Sequence, residues 1–379
     1  MCAMFSLIVL AFGLLLVWRF VWPLPWPKWA RVALAAVLLL GSQWPRVQLW
    51  IFGTMFSPEF PRPVVIVLGW LFCAFIVLLL LTLVMDLVGF GVWLARGRVR
   101  LSPSQRGQVR YAVGFLTVAL TTFGVWQALQ VPGVKRMEVR VAGLPAALDG
   151  YRVVQLTDLH ISRMFEEPWA RAVVERTNAL DADVLLITGD LMDGKVSARE
   201  RDVAPLASLR ARDGVYVSPG NHEYYFDAPA WFAKYESLGL RVLVNSSAAV
   251  GPGGALTVVG LADEAALRYS LPGPDLKRAL GALSSADTVV LMAHRPKDGV
   301  VNGDARVDLQ LSGHTHGGLI RGVDQLFVAP ANGGFVSGRY DVGPTQIYVS
   351  NGTGLWNGFP IRLGVPAEIT EITLRPAAP

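Results

Sequence analysis

The chemistry of this chain is concentrated in its five histidines, His160, His222, His294, His314 and His316. Each falls in a short polar cluster just after an apolar run, and none falls in the strongly apolar N-terminal third. A single histidine is more often structural than functional, but five gathered in this way point to ligands or proton carriers, the two commonest uses of imidazole. Asp158, Asp190 and Asn221 stand in the same clusters. A donor set of nitrogen and oxygen without thiolate suits Mn, Fe or Zn better than Ca or Mg.

Such clusters need strands to carry them. Runs at 152–156, 184–188, 215–218, 288–292 and 309–311 read as strands, and each leads into one of these clusters. Helical patterns at 168–180, 203–212 and 228–238 alternate with them, and 241–244, 256–261, 346–349 and 369–374 are further strand candidates. The pattern is that of a layered α/β domain, in which ligands bind beyond the carboxyl ends of the strands.

Composition divides the chain. It is 53% hydrophobic and only 17% charged, whereas soluble domains run near a quarter charged. Residues 1–136 hold twelve basic and two acidic residues, a net charge of +10; the remainder holds 22 basic and 27 acidic, a net of −5. The basic character belongs to the N-terminal part, which removes the case for nucleic-acid binding by the folded domain. Two cysteines exclude a disulfide scaffold and a thiolate cluster. Both, Cys2 and Cys73, lie before residue 136, so the remainder folds in either redox compartment.

Apolar stretches at 1–18, 29–44, 64–85 and 111–131 are candidate spans, since about 20 residues cross a hydrocarbon core. The first has neither a basic start nor a small-residue cleavage site, as a retained helix would. Tryptophans 18, 22, 26, 29 and 44 cluster at span ends, where indole prefers the headgroup layer. Asp86 closes the third span and is expected at the interface. The expected organisation is a membrane region of about four helices over 1–136, then a catalytic domain over 137–379. Arg96, Arg98, Arg100, Arg106 and Arg110, with no acid among them, mark a cytoplasmic loop. The chain is thus expected to be a multi-pass protein of the cell (inner) membrane with an extracytoplasmic catalytic domain.

Asp158-Leu159-His160, Gly189-Asp190-Leu191-Met192-Asp193, Gly220-Asn221-His222-Glu223, His294 and Gly313-His314-Thr315-His316 occur in an order that resembles the calcineurin-like metallophosphoesterases. The tail, Tyr348 to Gly354, Pro360 to Leu363 and Pro366 to Ile369, is similar to the bacterial membrane-associated branch with YkuE-like and YaeI-like phosphodiesterases. The resemblance covers about residues 153–374. It implies a four-layer α/β/β/α sandwich and two divalent metal ions. Asp158, His160, Asp190 and His316 would hold one ion; Asp190, Asn221, His294 and His314 would hold the other. Asp190 would bridge, and His222 would stand unligated beside the phosphate.

Two carboxylates against two divalent cations leave a formal charge of about +2, which attracts phosphate oxygens. Paired cations can ionise a shared water near neutral pH and clamp an in-line displacement, with His222 stabilising the pentacoordinate charge or protonating the leaving oxygen. Asp193 is a candidate for orienting a ligand or a solvated loop carboxylate, Glu223 for orienting a ligand or capping a helix, and Arg163 and Arg295 for clamping phosphate, with loop bracing the alternative for Arg295 before Pro296. Tyr224, Tyr225 and Phe226 could line a lipid or base pocket or close the core. Residues 268–274 are a candidate gating loop, and Trp356 and Phe359 could stack on a base, enter lipid or close the core. The expected activity is hydrolysis of a phosphodiester or pyrophosphate in a lipid-linked or envelope substrate. UDP-2,3-diacylglucosamine pyrophosphate cleavage and non-catalytic sensing of a phosphate ligand are the alternatives. Oligomeric state is left open.

Overall fold

The computed structural model describes residues 2–97, 101–281, 288–297 and 307–377. It forms two compact units, one of Met1–Gln127 with Asn357–Leu363, the other of Ala128–Trp356 with Gly364–Pro379.

The first unit contains α1 (Cys2–Leu16), prolonged by a π-helical turn (Val17–Val21), then α2 (Lys28–Ser42), α3 (Trp44–Phe52), α4 (Arg62–Arg96) and α5 (Pro103–Ala128). Leu16, Phe20, Leu38, Phe72, Phe75 and Leu78 form its core. Of the four expected spans, α4 and α5 are long and apolar enough to cross a membrane. The segment at 29–44 becomes half of a pair, α2 and α3, bent by 52°, and the first candidate yields a shorter apolar helix, Ser6–Val21. The third does not stop at Met85, because α4 continues through Asp86 to Arg96. Asp86 is neutralised there by a two-pronged pair with Arg19, at 2.7 and 3.0 Å. Of the arginine-rich stretch, Arg98 and Arg100 lie outside the described residues.

Asn357–Leu363 packs in this helical unit: Phe359 meets Phe72 edge-to-face at 6.2 Å, and Arg362 N–H donates to Gly124 O at 3.0 Å. Phe359 therefore belongs to the helical core.

The second unit is built on two six-stranded sheets. The first contains β1 (Gly133–Val141), β2 (Arg152–Leu156), β3 (Val184–Thr188), β4 (Val215–Ser218), β5 (Arg241–Val242) and β12 (Glu368–Pro376), in the order β1-β12-β2-β3-β4-β5. The second contains β6 (Ser246–Val250), β7 (Leu256–Gly260), β8 (Thr288–Met292), β9 (Leu309–Ser312), β10 (Gly338–Val342) and β11 (Thr345–Val349), in the order β10-β11-β9-β8-β7-β6. The helices are α6 (Glu167–Asn178), α7 (Val196–Val203), α8 (Asn221–Tyr225), α9 (Ala228–Ser237), α10 (Leu276–Leu280) and α11 (Asp324–Ala331).

Side chains alternate across a strand, and here both faces of the central strands are buried. Val153, Leu186 and Tyr216 of the first sheet meet Val258, Val290 and Leu311 of the second. The intervening Val259, Val289 and Leu291 pack on Ala279 and Leu280 of α10. On the first sheet Val154, Leu185, Ile187 and Val217 are likewise buried, and α6 and α9 contribute the buried Trp169, Val173 and Trp231. The result is the four-layer α/β/β/α sandwich.

Strand β1 already begins at Gly133, a few residues before the expected boundary at 137. The catalytic unit begins at Ala128, and β1 pairs in parallel with β12 from Gly133. Lys135 and Arg136 pair with Glu368 at 3.2 Å and Glu371 at 2.7 Å across that ladder. The helix expected at 203–212 lies earlier, as α7, and gives way to a 3-10 turn (Ala204–Ser208) where Pro205 cannot continue an α-helix.

Candidate metal centre

The carboxyl ends of β2, β3, β4, β8 and β9 carry the seven expected ligands, six of them buried and His314 half-buried. Asp158, His160 and His316 offer ligand atoms within 4.8 Å of one another, and Asp190, His294 and His314 do the same. Asp190 joins the two groups, with Oδ2 3.7 Å from His160 Nε2 and 3.2 Å from His294 Nε2. Asn221 opens α8 and is buried beside them. Five of these residues hold the left-handed backbone region: Asp158 (φ 53), His160 (φ 45), Asp190 (φ 54), His314 (φ 68) and His316 (φ 50). That conformation is costly for residues with a Cβ and collects at functional sites. Here each strand end turns so that its side chain points inward.

The cradle is tight. A Cβ on Gly220 would come within 2.2 Å of Asp190 Oδ1, and one on Gly313 within 2.2 Å of Asp158 Oδ2. Only glycine lets these two backbones approach the carboxylates so closely.

Around the cluster, hydrogen bonds to the outer nitrogens of His160, His222 and His294 turn the other nitrogen of each inward. Asp193 Oδ1 lies 3.1 Å from His160 Nδ1 and 2.5 Å from His222 Nδ1. Thr188 O takes His294 Nδ1 at 2.8 Å. An outer partner on one ring nitrogen fixes the tautomer and frees the other for a metal or a phosphate. Arg199, fully buried, donates to Asp193 O at 2.8 Å and so holds the orienting residue itself. The Asp158 backbone is braced by the tail, where Thr353 N–H donates to Thr157 O at 2.8 Å and Gly354 N–H to Asp158 O at 2.9 Å.

Glu223 is a structural keystone rather than a ligand. It accepts from the N–H of Asp190 (3.0 Å), Leu191 (2.8 Å) and Gly220 (2.8 Å), and from the Tyr235 hydroxyl (3.0 Å). One side chain thereby ties the β3 end to the β4 end.

The electrostatics are those of a compact mixed-charge site. Burial opposes ionisation of Asp190, but the imidazoles of His294 and His222 outweigh it and hold the carboxyl well below its usual range. Asp158 is lowered in the same way, burial being outweighed chiefly by His316 and His160. Burial works against the charged form of His294, yet Asp190 pushes it up to about 10. His314 is driven well down by burial, by His294 and by Arg295.

The residues fit a metal pair on one further observation. His160 Nε2, His294 Nε2 and Asn221 Oδ1 are buried without a hydrogen-bond partner. Orphaned buried atoms of this kind are rare and costly, and a pair of cations would supply the missing partners, one to His160 and the other to His294 and Asn221.

Other expectations fare differently. Arg295 braces the loop beside His294: its Nε donates to the buried Asp263 at 2.8 Å and its Nη1 pairs with Glu264 at 3.2 Å. Arg163 lies 3.9 Å from Glu166. Tyr224 is core, packed with Ala228, Ala265 and Ala266, whereas Tyr225 lies against His222 with ring centroids 5.1 Å apart. Arg199 was not legible as functional, because nothing in its sequence setting distinguishes a buried arginine from an exposed helical one.

The family model described as calcineurin-like phosphoesterase matches residues 151–318, a span that includes all seven cluster residues and His222. A transmembrane protein with metallophosphoesterase domain from Danio rerio is 34% identical over 303 residues, covering 76% of this chain and 68% of that protein. The chain belongs to the calcineurin-like phosphoesterase family. Its catalytic unit is a metal-dependent phosphoester hydrolase domain that follows long apolar helices. The bovine protein of the same description is 36% identical over 277 residues, covering 69% of this chain and 61% of its own length. The metallophosphoesterase YkuE of Bacillus subtilis (strain 168) is 31% identical over 242 residues, with 61% and 82% covered.

Proposed function

We propose that this calcineurin-like phosphoesterase is a membrane-anchored binuclear enzyme that hydrolyses a phosphodiester or pyrophosphate in a lipid-linked or cell-envelope substrate. The observation that carries the reading is the meeting of two three-residue groups at Asp190, with imidazole nitrogens turned inward and unpartnered.

Asp158, His160, Asp190 and His316 would hold one divalent ion, and Asp190, Asn221, His294 and His314 the other, with Asp190 shared. Mn, Fe and Zn suit these donors. The bound pair would supply a lowered water pKa and charge neutralisation at phosphorus. The protein's own part is positional. His222 hands Nδ1 to Asp193 and keeps Nε2 for the phosphate, as general acid–base chemistry requires. Water adds its oxygen to phosphorus, the bond to the leaving oxygen breaks, and His222 returns a proton to that oxygen. No phosphoenzyme forms.

The helices α4 and α5 support a multi-pass protein of the cell membrane. With the arginines before α5 inside, a single crossing by α5 carries the catalytic unit outside. A reporter fused to the C-terminus reads this directly: activity in the periplasmic form supports it, and activity in the cytoplasmic form reverses it.

The reaction is tested with the full chain in detergent, supplied with Mn, Fe or Zn. Bis-p-nitrophenyl phosphate is expected to be cleaved with any one of them and not after chelation. Tight phosphate binding without turnover under all three would make the protein a sensor, and faster cleavage of UDP-2,3-diacylglucosamine than of any envelope lipid would move the site to lipid precursor chemistry.

A further inference from the structure

The geometry points to an apolar rim on the catalytic unit that seats a long-chain phosphoester at a lipid surface; the inference rests on the phosphoesterase reading and narrows its substrate to one bearing a long alkyl or acyl chain.

Among the described residues of the catalytic unit, the large hydrophobics that stand exposed are Leu267 at 65%, Tyr269 at 48%, Leu326 at 70% and Phe327 at 66%. They fall on only two elements, a 3-10 turn (Glu264–Tyr269) and α11. Both elements are fastened to the metal cluster. The turn is held from below by Ala265 and Ala266 against Tyr224. It is held at its start by Asp263, which accepts from Arg295, the neighbour of His294. The first residue of α11 lies against Gly318, two positions after His316, so closely that a Cβ on that glycine would meet Asp324 Cβ at 2.2 Å. Neither element is a loose loop whose apolar residues were left outside by accident of packing.

A continuous aromatic path links the chemistry to this rim. His222 lies 5.1 Å from Tyr225, and Tyr225 lies 6.5 Å from Tyr269, between ring centroids. A substrate whose phosphorus sits at His222 therefore has an aromatic wall leading outward to Leu267. Scattered exposed hydrophobics need no explanation, but a pair of apolar elements beside a binding mouth marks a contact surface.

The occupant follows from chain connectivity and charge. Helix α5, long and apolar enough to cross a membrane, ends at Ala128 and β1 begins at Gly133, so only residues 129–132 lie between the two elements. Arg268 stands between Leu267 and Tyr269, and Arg321 precedes α11. Apolar side chains interleaved with arginine are the composition that enters an anionic lipid interface.

Two probes share a phosphorus and a leaving group and differ only in chain length: methyl p-nitrophenyl phosphate and hexadecyl p-nitrophenyl phosphate. Both are offered to the full chain in mixed micelles. The ratio of kcat/KM, hexadecyl over methyl, is expected to be at least about tenfold in the wild type, which burial of as few as about two methylenes on the rim would supply. It should fall at least fivefold in L267S/Y269S and in L326S/F327S, and be retained in Phe327→Leu, which keeps an apolar side chain. A ratio near one in the wild type, or a ratio that neither double variant moves, overturns the rim while leaving the phosphoesterase reading intact. No turnover of either ester with Mn, Fe or Zn overturns both.

Discussion

Replacing Asp190 by Asn is expected to lower phosphodiester turnover on the order of a thousandfold, the scale on which removing a group that handles transition-state charge is felt. The substitution is close to isosteric. Asparagine tolerates the left-handed backbone that Asp190 occupies at φ 54. Its carbonyl can still accept the His222 N–H that Asp190 Oδ1 takes at 2.8 Å. What disappears is one negative charge facing the imidazoles of His160, His222 and His294, and with it the only residue common to both proposed ligand sets. Kinetics with added Mn, Fe or Zn, beside a circular-dichroism comparison, separate this from misfolding. A variant that keeps wild-type turnover removes Asp190 from the mechanism.

The second large effect falls on stability. Glu223→Ala leaves three backbone N–H groups and the Tyr235 hydroxyl without their acceptor in a fully buried place. Each unsatisfied buried donor costs about 1–3 kcal/mol. Relaxation and water entry recover part of that sum, so a net loss of about 3–5 kcal/mol is expected, at the high end for a single substitution. For a domain of this size that lowers Tm by roughly 10 °C, measured by intrinsic fluorescence of the full chain in one detergent. Glu223→Gln keeps one acceptor and turns an amide toward donors, so it should fall between the two. A Glu223→Ala melt within 2 °C of the wild type, a threshold of about half a kcal/mol, would mean that these bonds are replaced by water at no cost.

How far the sequence disclosed this arrangement depended on whether function and burial left a local trace. The ligand-bearing residues were legible because each follows a β-rich run, and the carboxyl edge of a sheet can gather such residues from distant positions. Strands β2, β3, β4, β8 and β9 were visible as compact apolar runs, buried on both faces. The strands β1, β6 and β10 were not. β1 carries Lys135, Arg136, Glu138 and Arg140 along an edge, β6 is built mainly of serine and alanine, and β10 begins Gly338-Arg339. Edge strands need little hydrophobicity and often carry charge. The start of β1 was hidden for the same reason, since its charges resemble those that flank a span. The association of Asn357–Leu363 with the helices left no local signal at all, for it depends on contacts with α4 and α5 far away in the chain.

The orienting network was partly legible. Asp193 stood out by its place in Gly189-Asp190-Leu191-Met192-Asp193. That its Oδ1 serves two rings, and that Arg199 holds its carbonyl, are facts of three-dimensional placement. Arg295 illustrates the converse. Its position beside His294 and before Pro296 left phosphate clamping and loop bracing both open, and the buried Asp263 that accepts from its Nε identifies the brace.

The most direct test of a two-ion centre is the metal content of the full chain purified without chelator and measured by mass spectrometry against protein concentration. About two transition-metal ions per chain are expected. A content near zero in a preparation that still cleaves bis-p-nitrophenyl phosphate after exhaustive chelation would contradict the account.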